Sequence, residues 1–110
     1  MTEEQTYIIL ATLTGQIQQS PDNATLYLNR AKTYLALNDT AHAIDDLDKA
    51  LSLDDTLAEA YMLRGQQRFK LHDRNAAFED LKKAVNLNPQ LMADVTGEYH
   101  TKEPPKPFKI

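Results

Sequence analysis

Residues 24–57 read ATLYLNRAKTYLALNDTAHAIDDLDKALSLDDTL, and residues 58–91, which follow without a gap, read AEAYMLRGQQRFKLHDRNAAFEDLKKAVNLNPQL. The second string is the first rewritten. Laid over one another at an offset of 34, Tyr27 falls on Tyr61, Arg30 on Arg64, Leu37 on Leu71 and Asp39 on Asp73. Ala43 falls on Ala77, Asp46 on Asp80, Leu47 on Leu81 and Ala50 on Ala84. Large and small apolar residues alternate at fixed offsets within each copy, with a turn-forming cluster near the middle and another at the end. A period of roughly 34 residues built this way is the mark of a helix–turn–helix repeat.

Working outward, residues 24–37 carry Tyr27, Ala31, Tyr34 and Leu35 at three- and four-residue steps, the spacing of a helix face. Asp22 or Asn23 is placed to cap that helix, and Asp39 or Thr40 to cap a second over 41–53. The apolar stripe of the second helix is Ala43, Ile44, Leu47, Ala50 and Leu51, which puts Asp45, Asp46, Asp48 and Lys49 on the far side. In the second copy Tyr61, Gly65 and Phe69 form the inner face of the first helix. Ala77, Phe78, Leu81, Ala84 and Val85 form that of the second. Residues 3–19 read as one more helix, with Tyr7, Leu10, Ala11 and Ile17 near one face and Ile9 and Leu13 beside it. Shifted by one period, Leu13 meets Leu47 and Ile17 meets Leu51, so this helix reads as the second half of a repeat whose first half is missing, an N-terminal cap. Beyond Pro89 the stripe Leu91, Met92, Val95 and Tyr99 predicts a short capping helix over 90–99. Residues 102–110 hold three prolines and read as an extended, flexible tail.

The doubled skeleton closely resembles the tetratricopeptide repeat family. The resemblance implies an all-α fold: a right-handed superhelical stack of antiparallel helix pairs, here five to six helices in one domain spanning 1–101. It also implies that the first helices of successive repeats line a concave groove that binds other proteins. Carried over position by position, the groove candidates are Thr25, Leu28, Asn29, Lys32 and Ala36 in the first repeat. In the second they are Glu59, Met62, Leu63, Gln66, Phe69 and Lys70. The core set for partner binding is Leu28, Asn29, Lys32, Met62, Leu63, Gln66, Phe69 and Lys70. One branch of the family grips the C-terminal Glu-Glu-Val-Asp of chaperones through a clamp of Lys, Asn and Arg. That clamp needs a Lys and an Arg in the repeat after its Asn, where this chain has Glu59 and Leu63, so the carboxylate-clamp type is not expected here.

Composition narrows the chemistry. At 110 residues the chain is one domain, long enough to bury about two-thirds of its unfolded surface. With no cysteine it has no disulfide, zinc-thiolate site or thiol nucleophile. The acidic N-terminus is unlike a signal peptide, and the run Tyr7–Ala11 is too short to span a bilayer, so a cytoplasmic protein is expected. A net charge of −4 argues against nucleic acid as a partner. His42, His72 and His100 lie at no metal-pair spacing, and Asp45-Asp46 with Asp48, Asp54 and Asp55 lacks the glycine and spacing of a calcium loop. Phosphate loop, nucleophile elbow and basic aromatic stripe are all missing. No cofactor and no enzymatic activity are expected; the expected function is an adaptor or scaffold that binds a peptide or helix of a partner.

An alternative is self-assembly by end-to-end stacking or by docking of the tail in the groove. Residues 1–55 carry nine acids against three bases (−6), and residues 56–110 carry seven acids against nine bases (+2). That asymmetry suits head-to-tail association.

Overall fold

A computed structural model describes residues 1–92; the predicted capping helix beyond Met92, and the tail, lie outside the described residues. Five α-helices follow one another: α1 (Glu3–Gln19), α2 (Ala24–Ala36), α3 (Thr40–Leu53), α4 (Ala58–Lys70) and α5 (Arg74–Leu87). A 3₁₀ turn, Pro89–Leu91, closes the series, and no strand occurs among the described residues. The fold is the all-helical stack anticipated, with α2 on α3 and α4 on α5 as antiparallel pairs, α1 leaning on α2 and α3 on α4.

Four of the five helix starts are written in their caps, while α4 begins after Leu57 with no side-chain cap. Thr2 and Gln5 form a reciprocal capping box on α1. Asn23 Oδ1 accepts from the Thr25 N–H at 3.1 Å, Asp39 from the His42 N–H at 3.2 Å, and Asp73 from the Ala76 N–H at 3.4 Å. These bonds satisfy backbone donors that have no partner inside the helix. The His42 N–H, and then its ring, hold the Asp39 carboxyl below the usual carboxylate range. Asp54 stops α3 with extended backbone, and its carboxylate accepts from the Thr56 hydroxyl and N–H. Those two bonds likewise lower the Asp54 pKa.

Inside each pair the chain reverses through a left-handed residue, Asn38 at φ 60° and His72 at φ 64°. The two stand 34 apart, so the repeat copies backbone strain as well as side chains. Asn adopts this region readily, whereas His pays a steric penalty of about 1–2 kcal/mol that glycine escapes. His72→Gly is therefore expected to raise stability by about 0.5–1 kcal/mol, part of the relief being lost to the freer unfolded chain. A lower urea midpoint for the variant would contradict this.

The core runs from Ile17 through Tyr27, Leu28, Ala31, Ala43, Leu47, Ala50 and Leu51 to Ala60. Small residues mark the close approaches. A Cβ on Gly65 would lie 2.9 Å from Leu81 Cγ and 3.1 Å from the Ala77 carbonyl oxygen, so α4 and α5 could not pack this tightly with a side chain there.

Three expectations need correction. On α1 the buried residues are Thr6, Leu13 and Ile17, while Tyr7, Ile8, Ile9 and Ala11 are exposed. This helix has α2 alone as a major neighbour, so only one narrow face is covered. Phe78 does not face inward; it is 62% exposed on the open flank of α5. Asp46 is not on a solvated far side but 5% exposed, for reasons given next.

Candidate interaction surface

The first helices α2 and α4 adjoin, and Lys32 on α2 forms an ion pair with Glu59 on α4. Around that pair Asn29 and Lys32 are exposed, as is Lys70, and Gln66 and Met62 are half-buried. Leu63 is half-buried with one side packed on the core. Phe69 is 42% exposed at the end of α4. Leu28 differs from the other candidates: at 6% exposure it belongs to the core and has little surface to offer a ligand.

Beneath this surface lies a polar network that helical periodicity alone does not reveal. Arg30 and Asp46 meet in a two-pronged pair, Nε to Oδ2 at 2.7 Å and Nη2 to Oδ1 at 2.8 Å. Arg64 and Asp80 repeat it at 2.9 and 2.8 Å. Each guanidinium also lies over the ring of the Tyr three residues earlier, Arg30 over Tyr27 at 5.8 Å and Arg64 over Tyr61 at 5.7 Å. Hydrogen bonding to Asp46 and to Asp80, with the attraction of those carboxylates, raises the pKa of Arg30 and of Arg64 against the opposing effect of burial. Both arginines thus stay charged at any pH the fold survives. Arg68, which stands where the first repeat has Tyr34, joins the network, its Nη1 donating to Asp80 Oδ2 at 2.8 Å. The signal was present in the sequence, since an Arg and an Asp 16 apart recur together at the repeat offset.

This network is structural. It binds second helices to first helices and leaves no buried side-chain polar atom unpaired among the described residues. Of the histidines described, His42 stacks on Tyr34 with ring centroids 5.1 Å apart and bonds Asp39 at 2.7 Å, and His72 forms the turn. Among the described residues no three His, Cys, Asp or Glu gather as a metal site, and no helix is long and apolar enough to cross a membrane.

The family model of the tetratricopeptide repeat matches residues 24–56 and again 58–91, the two units that the helix pairs define. The chain belongs to the tetratricopeptide repeat (TPR) family. Among solved structures, the TPR domain of Arabidopsis OM64 superposes with a TM-score of 0.78 at 32% identity, covering 87% of this chain and 80% of that one. The first TPR domain of Spaghetti (RPAP3), bound to the HSP90 peptide SRMEEVD, gives 0.73 at 27% identity, over 80% and 72%. A curated relative, the SGT1 homolog of Oryza sativa subsp. japonica, is 36% identical over 52 residues, 47% of this chain. The chain spans only 14% of the length of that relative.

Proposed function

We propose that this TPR chain is a non-catalytic adaptor or scaffold element that receives a peptide or helix of a partner protein on the surface shared by α2 and α4. The observation that carries the reading is that a TPR domain of the same fold and 27% identity holds a partner's peptide. It is supported by where the two repeats diverge. Asn29 against Leu63, Lys32 against Gln66 and Leu35 against Phe69 are first-helix positions, whereas packing positions such as Tyr27/Tyr61, Ala43/Ala77 and Ala50/Ala84 are shared.

The ligand we propose is not an acidic chaperone tail. Glu59 and Leu63 stand where the clamp requires Lys and Arg, and Lys32 is already engaged by Glu59. What the surface offers instead is Met62, Leu63 and Phe69 for apolar side chains, with Lys70 at the edge for an acid. The cytoplasm is the compartment proposed with this reading, on the cysteine-free composition.

Two measurements test it. Titration of the whole chain with the peptide SRMEEVD should show no saturation below about 1 mM, roughly −4 kcal/mol. Saturation in the micromolar range would restore the clamp reading. Peptides selected by display against the whole chain should bind Phe69→Ala about tenfold more weakly, the loss expected of a central apolar anchor. Peptides indifferent to both Phe69→Ala and Leu63→Glu would place the site elsewhere.

Self-assembly is the second reading, favoured by the −6 and +2 halves of the chain. It requires a dimer that weakens with salt, which light scattering at two ionic strengths detects.

A further inference from the structure

The two ends of the stack are open in different ways. At the α5 end Phe78, Leu81, Lys82 and Val85 border a hollow of about 350 Å³ on the flank of the helix, and Glu79 and Lys83 are exposed nearby. The α1 end carries almost no charge. Residues 5–21 hold no Asp, Glu, Lys or Arg. One and two periods on, Ala11 corresponds to Asp45 and Glu79, Thr12 to Asp46 and Asp80, and Gly15 to Lys49 and Lys83. Yet Tyr7 is 54% exposed and Ile8 62%, with Ala11, Thr12 and Gly15 exposed beside them. A face depleted of charge that keeps bare isoleucine and tyrosine has the composition of an interface core.

Gly15 sharpens this. Glycine inside a helix costs about 1 kcal/mol relative to Ala. Gly65 is required by the close approach of Leu81, but a Cβ on Gly15 would meet no atom within 4 Å, and its φ is not positive. Nothing among the described residues requires glycine at 15; a helix approaching closely from outside does.

The face is not fitted to the first helix of a further repeat. Such a helix, like α2 and α4, brings an arginine, and Thr12 stands where Asp46 and Asp80 receive it. It also needs the room left by Ala43 and Ala77, both wholly buried, where α1 has Ile9. The face instead complements itself. At helical spacing its centre line runs Glu4, Ile8, Ala11 with Thr12, Gly15 and Gln19, opposite the buried Thr6, Leu13 and Ile17. Read backwards, the same line sets Gln19 on Glu4 and Gly15 on Ile8.

We propose that α1 pairs antiparallel with α1 of a second copy, about a two-fold axis between Ala11 and Thr12. Ile8 of each copy then fills the space over Gly15 of the other, Ala11 faces Thr12, and Tyr7 and Ile9 flank the seam. Glu4 meets the Gln19 amide of the other copy, and the positive start of each helix lies beside the negative end of its mate. A parallel pair would instead set Glu3 and Glu4 against the same acids. The interface is isologous and closes at two copies, leaving the α2 and α4 surface free. It differs from head-to-tail stacking of unlike halves in the end it uses and in its response to salt.

Sedimentation of the full chain between about 5 and 500 µM should pass from monomer to dimer, the range of a small interface. The dimer should persist when salt is raised from about 0.05 to 0.5 M, because no ion pair spans it. Gly15→Lys installs the residue type of Lys49 and Lys83. It should unfold at no lower urea concentration than the parent, since Lys is the better helix former, while weakening the dimer at least about tenfold. The chain has no cysteine, so Ile8→Cys and Gly15→Cys each add a single thiol. Mixed under oxidation, these two variants should cross-link to each other faster than either links to itself. A monomer at every concentration overturns the proposal, as does a dimer that dissociates with salt or survives Gly15→Lys. Ile8→Cys linking to itself as fast as to Gly15→Cys overturns it too.

Discussion

Asp80→Ala is expected to destabilise the protein by about 3–5 kcal/mol, the cost of removing one partner from a buried ion pair. The Asp80 side chain is 5% exposed and serves two guanidinium groups, those of Arg64 and Arg68, themselves 16% and 28% exposed. Without the carboxylate both cations remain in a poorly hydrated place, and the Arg64 Nε and Nη2 and Arg68 Nη1 donors lose their acceptor. A domain of this size has only about 5–15 kcal/mol in total, so the variant should be partly unfolded at physiological temperature. Asp48→Ala supplies the contrast. It removes another carboxylate from the same Arg64, but Asp48 is 50% exposed, and the loss should stay within about 1 kcal/mol. Urea unfolding followed by circular dichroism separates the two. Equal losses in both variants would mean that water, not Asp80, solvates Arg64.

Leu47→Ala should cost about 2–5 kcal/mol, and Leu81→Ala clearly less. Among the described residues Leu47 is the largest side chain with no exposure at all, enclosed at the centre of the stack where α3 meets both α2 and α4. Truncation there leaves a cavity that rigid neighbours cannot fill. Leu81 occupies the same repeat position but is only half-buried, because it borders the hollow on the flank of α5. Water or a shifted Phe78 can relieve part of the loss. If both variants shift the urea midpoint equally, the α5 flank is as closed as the centre.

The pair Leu47 and Leu81 also shows how far the sequence carries. Identical residues at identical repeat positions were legible as packing residues, and so were the helix ends, because caps and turns are short-range chemistry. Asn23, Asp39 and Asp73 cap where their local sequence places them. Position along the stack was less legible. Phe78 follows the apolar pattern and stands in solvent, and Leu28 follows the groove pattern and is buried. Asp46 is less legible still, since its neighbours in sequence place it on a polar helix face while its partner, Arg30, lies on another helix.

The sequence by itself determined the repeat, its period, the helix pairs and the family, since all of these follow from interactions a few residues long recurring at a fixed offset. Only the tertiary structure decided which copy of a repeated residue is enclosed and which carboxylates become the buried partners of arginine. It also decided where apolar surface remains uncovered. Those properties depend on what packs from outside the repeat, and the two copies of one sequence motif have different neighbours at the centre and at the end of a finite stack.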